Sequence, residues 1–315
     1  VEYARAGLKK VGAPEDLIQI MEKPYIEDIQ KMMSMCDMVV STGGTQSVIA
    51  AYSSGKPALG VGAGNSVMIG DETADPVEAA TKIVASKTFD NATSCSAENN
   101  VVIHKDVYDK CVATLQENGG YLCSAEEKAQ LKAAMWPDGE HIEAKVVARP
   151  AVRIANKIAD LNVPEDTKFI MVIGDDPVES DKFADEKLSP VVTIWKYKEF
   201  TQAIDYLKRI HAIKGCGHCC GIHTTNEERI KELAEQAQVS RLMVNQPQCL
   251  ANSGAFTNGM PYTMTLACGT WGNNSSSDNI TWRNWVNYTW VSSPIPENKP
   301  DEDKLFGEYW NAHGK

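Results

Sequence analysis

Two short stretches concentrate side chains able to do covalent or metal chemistry. "KTFDNATSC" (87–95) ends in a cysteine behind small hydroxyl and amide residues, and "GCGHCCGIH" (215–223) carries Cys216, His218, Cys219, Cys220 and His223. A thiolate is a nucleophile and a metal ligand, and an imidazole accepts protons or binds metals near neutral pH. Cys95 follows "NATS" and precedes "SAENNVVIH", which runs from a turn into a strand. A thiol placed there is reactive where backbone dipoles or a cation lower its pKa, and inert where apolar burial surrounds it. The residues alone leave both readings open, and burial is the commoner fate of a cysteine.

The second cluster invites zinc. A structural zinc site takes two separated ligand pairs, and no second C-x-x-C or H-x₃₋₅-H pair accompanies this one. Covalent haem attachment needs a histidine directly after the second cysteine of C-x-x-C, where this chain has Cys220. As a strand, "CCGIH" would send alternate side chains to opposite faces, away from a common ion. No metal ligand set is therefore assigned. The acidic run "GDDPVESDKFADEKLSP" (174–190) has the look of a divalent-cation site but reads more simply as a solvated loop. Walker-type, G-x-S-x-G and H-E-x-x-H signatures are absent.

A third feature is "STGGT" (41–45), where the strand "MVV" meets a helix pattern. Glycines on a strand-to-helix turn leave backbone amides bare and suit a phosphate or dinucleotide, although the same pair also makes an ordinary tight turn. Short apolar runs alternate with amphipathic stretches through most of the chain, which predicts βαβ units, a parallel sheet and an α/β class. "FIMVIG", "VVTIWKY", "CCGIHT" and "RLMVN" read as strands; "FTQAIDYLKRIH" and "NEERIKELAEQAQ" read as helices. "SAEEKAQLKAAM" reads as a helix capped by Ser124 with Glu127 three residues on. Residues 252–279 turn to Gly, Asn and Ser, "NITWRNWVNYTWVSS" (279–293) alternates as a half-buried strand would, and 294–315 form an acidic, proline-rich tail.

A net charge of −11 and a pI near 5.1 argue against a non-specific nucleic-acid partner. The longest apolar runs are too short to cross a bilayer and no export leader is evident, so a cytoplasmic protein with free thiols is expected from its nine cysteines. The helix-like text starting at Val1 reads as the interior of a longer protein.

"STGGTQSVIAAYSSGKPALGVGAGN", "DETAD", "SKTFDNATSC", "EKLSP", "KGCGHCCGIHT" and "CGTWGNNSSSDN" occur in an order and spacing that resemble the CoA-acylating branch of the aldehyde dehydrogenase superfamily. "FDNATSC", "GGYLCSAEEKAQL" and "VARPA" are most similar to acylating sulfoacetaldehyde dehydrogenases. The resemblance implies an aldehyde dehydrogenase-like α/β fold. Residues 1–62 would be the C-terminal part of a Rossmann-type cofactor domain, 63–278 an α/β catalytic domain, 279–293 an oligomerisation flap and 294–315 the tail. It puts Cys95 at the catalytic cysteine, with His218 near the acylating site for CoA or proton transfer. Thr42, Gly43, Gly44, Val61 and Gly62 would lie by the dinucleotide, NAD or NADP, and Glu186 on the nicotinamide ribose. Coenzyme A, a small aldehyde and further copies of the chain are the implied partners, with a bacterial microcompartment as one location.

Hydrolytic members of the superfamily carry a glutamate where "LGVGA" has Gly60, so the resemblance implies a thioester that waits for coenzyme A and not water. A sulfonated aldehyde would need a cationic or amide-rich pocket, which no single residue discloses. The family's N-terminal segment, with an asparagine that shares the oxyanion, has no counterpart in the text; on that reading the chain would fold poorly alone or be inactive.

Overall fold

The computed structural model describes residues 1–176 and 178–315, which divide into two units, Val1–Thr281 and Trp282–Lys315. In the first unit, helices α1 (Glu2–Lys10) and α2 (Ile26–Met35) precede a small parallel sheet of β1 (Val39–Thr42) and β2 (Ala58–Val61). Helix α3 (Thr45–Tyr52) crosses between the two strands. Thr42 pairs with Val61, and the Gly43 amide donates to the Val61 carbonyl at 3.2 Å, so the Gly-Gly turn sits at the carboxyl end of this pair.

The main sheet has seven strands, all parallel, in the order β5-β6-β7-β4-β3-β8-β9. They are β3 (Val67–Gly70), β4 (Asn100–His104), β5 (Gly120–Leu122), β6 (Phe169–Ile173), β7 (Val191–Tyr197), β8 (Cys220–His223) and β9 (Leu242–Val244). Parallel sheets are covered on both faces, and the central strands have the apolar runs this requires: Val67, Met68 and Ile69 in β3 and Val101, Val102 and Ile103 in β4 are all buried. Helices α4 (Pro76–Thr88) and α5 (Lys105–Glu117) cover one face and pack against each other. The remaining helices are α6 (Ala125–Met135), the short α7 (Ala151–Arg153), α8 (Phe200–Ile213), α9 (Glu227–Gln236) and α10 (Gln248–Asn252). Among the described residues no helix is long and apolar enough to cross a membrane.

Local sequence explains the helix starts. Asp75 caps α4 by accepting from the amides of Val77 and Glu78, with Pro76 at the first position where its missing N–H costs nothing. The capping box expected at Ser124 and Glu127 forms in both directions.

Strands β3, β4 and β8 begin level with one another, and β7 meets them at its third residue. Val67 pairs with Asn100 on one side and Cys220 on the other, and Asn100 pairs with Thr193. Buried amides tie their entry loops together: Asn100 Nδ2 donates to Asn65 Oδ1 and to the Ala184 carbonyl, each at 3.1 Å, Asn65 Nδ2 donates to Ala184 O at 2.8 Å, and Trp195 Nε1 donates to Asn100 Oδ1 at 3.0 Å.

In the second unit, α11 (Glu302–His313) is capped by Asp301, which accepts from the amides of Asp303 and Lys304. The strand expected over 279–293 is not formed. Asn279 makes one antiparallel bridge to Leu266, Trp282–Asn284 is a 3₁₀ turn, and Trp285, Tyr288, Trp290 and Val291 are exposed. Alternating sequence makes a strand only where another edge satisfies its backbone groups.

Asn100→Ala would strip the buried Trp195 N–H and the Asn65 carbonyl oxygen of their partner. The expected loss is about 1–3 kcal/mol of stability, read from the urea midpoint at unchanged slope; an unmoved midpoint would contradict the network's role.

Candidate active site

The chain leaves α4 through an unusual turn. Asp90, Asn91 and Ala92 have φ of 47°, 50° and 51°, three consecutive residues in the left-handed region. Asp and Asn tolerate that region better than other side chains with a Cβ, whereas Ala92 bears a cost of roughly 1–2 kcal/mol. Tertiary contacts hold the turn: Thr93 Oγ1 donates to the Asp90 carbonyl at 2.7 Å, and Ala92 is buried against Ala97 and Cys249. The reversal brings Cys95 onto the "GAGN" loop that enters β3. An ideal Cβ on Gly64 would lie 2.1 Å from the Cys95 carbonyl oxygen, so only glycine permits this approach.

His218 arrives on the loop entering β8. Its Nε2 lies 3.0 Å from Cys95 Sγ, and its Nδ1 lies 3.0 Å from Cys219 Sγ. Arg241, buried at the start of β9, donates through Nη2 to the His218 carbonyl at 3.2 Å and to the Ala267 carbonyl, and through Nη1 to Asn279 Oδ1 at 3.1 Å. Glu186 comes from the loop entering β7, 8% exposed, and its Oε1 accepts from the Gly64 amide at 3.2 Å. The thiol, the imidazole and the carboxylate thus stand on neighbouring loops at the amino-terminal edge of the main sheet.

Burial dominates the electrostatics. It pushes the Cys95 thiol up to about 12, reinforced by the charges of Glu186 and Cys268 and only partly offset by Arg241. It lowers His218 to about 3, and the Arg241 guanidinium adds to that shift. Glu186 is raised to about 7, again chiefly by burial, against the attraction of Lys214. The resting pair at neutral pH is consequently a thiol beside a neutral imidazole.

The other expected positions fall elsewhere. Thr42 ends β1, Gly43 and Gly44 form the turn into α3, and Val61 ends β2 with Gly62 directly after it. The Gly62 amide donates to Asn274 Oδ1 at 3.3 Å, and the same oxygen accepts from Cys268 N at 2.8 Å. A cleft of about 560 Å³ lies between these elements, lined among others by Thr45, Gly62, Lys214, Cys216 and Trp271. The first amides of a helix lack intrahelical acceptors, which phosphate-binding turns exploit; at α3 those of Ser47 and Val48 donate back to the Gly44 carbonyl at 3.0 and 3.3 Å. An ideal Cβ at Gly60 would lie 2.6 Å from Val48 Cγ1 and 2.8 Å from Tyr52 Oη; α3 fills the room a side chain would need. Among the described residues no group of three His, Cys, Asp or Glu could hold a metal ion.

Sequence reasoning overlooked Gly64, Arg241 and Asn274 and gave Cys219 no role of its own. The repeated Gly–Asn text of "GAGN" and "WGNN" was a usable signal for Gly64 and Asn274. Nothing in the text marked Cys219 apart from Cys216 or Cys220, since only folding decides which faces the imidazole.

The aldehyde dehydrogenase family model matches residues 3–261. The chain is 45% identical over 321 residues to a sulfoacetaldehyde dehydrogenase (acylating) of Bilophila wadsworthia, covering all of this chain and 68% of that protein. It is 44% identical over 313 residues to a sulfoacetaldehyde dehydrogenase of an Acholeplasma species, covering 98% of this chain and 64% of that one. A crystal structure of a probable aldehyde dehydrogenase from Listeria monocytogenes superposes with a TM-score of 0.88 at 31% identity, over 95% of this chain and 66% of the other. The chain therefore spans about two thirds of the length of the proteins it matches. With a cysteine and a histidine in contact on an aldehyde dehydrogenase-like α/β frame, and a family match over most of its residues, the chain belongs to the aldehyde dehydrogenase family.

Proposed function

We propose that the protein converts an aldehyde, coenzyme A and NAD(P)⁺ to an acyl-CoA, NAD(P)H and a proton through a thioester on Cys95. The observation that carries this reading is the 3.0 Å contact between Cys95 Sγ and His218 Nε2 at the close approach of Gly64. His218 takes the thiol proton as sulfur adds to the aldehyde carbon, leaving a hemithioacetal oxyanion. The nicotinamide supplies the hydride acceptor when bound; the bare turn after β1 and the cleft at Gly62 fit such a dinucleotide, with Glu186 as a ribose acceptor. Loss of hydride gives the acyl thioester of Cys95. His218 gives up the first proton to solvent, which is the proton released overall; neutral again, it deprotonates the coenzyme A thiol as that attacks the carbonyl carbon, and collapse of the tetrahedral adduct breaks the Cys95 carbon–sulfur bond, the departing thiolate taking the proton from His218.

The choice of thiol over water as acceptor is supported at Gly60. A carboxylate there could activate water, but Val48 and Tyr52 leave no room for a side chain. Sulfoacetaldehyde is the substrate we favour, on the names of relatives at 44% and 45% identity. The buried Arg241 guanidinium provides positive potential near the thiol that an anionic aldehyde would meet. The exposed aromatic residues over 282–291 fit a contact with further copies of the chain.

Side-by-side assays with sulfoacetaldehyde, acetaldehyde and propionaldehyde are expected to give NAD(P)H formation that requires coenzyme A, fastest with the sulfonated aldehyde. Equal rates with and without coenzyme A would refute the acyl acceptor, and preference for an uncharged aldehyde would refute the substrate. A second expectation concerns pH. With Cys95 near 12 and His218 near 3, the neutral thiol–imidazole pair persists across pH 5–9, so alkylation of Cys95 by iodoacetamide should stay nearly level over that range. In His218→Ala only the thiolate fraction reacts, and the rate should climb about tenfold per pH unit. Identical profiles for the two proteins would remove His218 from the proton path.

A further inference from the structure

The imidazole of His218 is bracketed by two sulfurs, and only one of them belongs to the nucleophile. Cys219 Sγ lies 3.0 Å from Nδ1, on the opposite side of the ring from Cys95, and both His218 and Cys219 are wholly buried. The backbone around them is pinned: the His218 amide donates to Gly215 O at 3.1 Å, the Gly217 amide to Gln238 O at 2.8 Å, and the Ser240 amide to Gly217 O at 2.9 Å. An ideal Cβ at Gly217 would lie 2.0 Å from the Cys268 carbonyl oxygen, so this loop has no freedom to re-aim the ring.

A neutral imidazole carries one N–H. To receive the Cys95 proton on Nε2, His218 must hold its hydrogen on Nδ1, and which nitrogen holds it is decided by the partner the other nitrogen finds. In this buried position the atom facing Nδ1 is the Cys219 sulfur, a weak but available acceptor. The opposite tautomer would turn an N–H toward Cys95 and leave nothing to accept its proton. We infer that Cys219 is a positioning residue whose sulfur accepts the Nδ1–H of His218 and thereby keeps Nε2 open as the base for Cys95. This assignment rests on the reading of Cys95 as nucleophile and His218 as its base, and it gives the doubled cysteine of "GHCCG" separate duties: Cys219 faces the ring, while Cys220 begins β8 and packs into the core.

The test is the rate of iodoacetamide alkylation at Cys95, mapped by peptide mass spectrometry on the full chain with no cofactor added, across pH 5–9. Cys219→Ala should react roughly tenfold or more slowly at pH 7 and acquire the rising pH profile of His218→Ala, with no further loss when both changes are combined. Cys219→Ser, whose hydroxyl can accept the same hydrogen, should restore a level profile. A rising profile for Cys219→Ser as well as Cys219→Ala would overturn the inference, as would a level, fast profile for Cys219→Ala. Those results leave the Cys95–His218 reading standing, whereas an unreactive Cys95 in the unmodified chain overturns both.

Discussion

Everything at the site depends on the register of four adjacent parallel strands. Thr193, Asn100, Val67 and Cys220 lie side by side across β7, β4, β3 and β8, so the loops entering those strands emerge at one edge of the sheet. Cys95 is five residues before Asn100, His218 two before Cys220, Gly64 three before Val67, and Glu186 five before Val191. A one-residue slip in any of these pairings would turn the strand over and carry its loop away. The buried asparagine pair Asn65 and Asn100, with Trp195 and the Ala184 carbonyl, locks the register by hydrogen bonds that only one alignment satisfies. Ligands of open α/β sheets usually gather at carboxyl ends of strands. The small β1–β2 pair carries its Gly-Gly turn at such an end, while Cys95 and His218 stand at the amino-terminal edge of the larger sheet, and the cleft at Gly62 and Lys214 touches loops from both.

The second theme is that burial sets the resting charge state. Desolvation penalises charged forms, raising thiols and carboxyls and lowering imidazoles. Cys95 and His218 therefore rest neutral, as a thiol beside an imidazole. On the proposed reading, a nucleophile kept as a thiol is less open to oxidation than a thiolate would be, because reactivity follows thiolate content. On that reading the base must be held in one tautomer and one orientation, and backbone hydrogen bonds between Gly215 and His218 and between Gly217 and Gln238 pin the loop that carries it.

Much of this was legible in the text, for identifiable reasons. Strands β6 and β7 and helices α6, α8 and α9 carry long periodic patterns or a capping box, and each folds where those signals put it. The central strand β3 escaped notice because four buried residues, "VMIG", sit inside glycine- and asparagine-rich text that reads as loop. Residues 279–293 erred the other way, since alternation alone cannot reveal whether a partner edge exists. The motif "FDNATSC" pointed to Cys95, but its left-handed turn at Asp90–Ala92 and its contact with Gly64 are tertiary facts. For the same reason Cys219 could not be told from its neighbours: a cluster of cysteines in sequence becomes one ring partner and one core residue only after the strand begins.

The most direct measurement of the central claim is acid-quenched peptide mass spectrometry after mixing the protein with aldehyde and NAD(P)⁺ in the absence of coenzyme A. The account predicts the mass of the acyl group on the peptide containing Cys95, and its disappearance with release of acyl-CoA when coenzyme A is added before the quench. An acyl group on any other cysteine, or one on Cys95 that coenzyme A leaves in place, would contradict it.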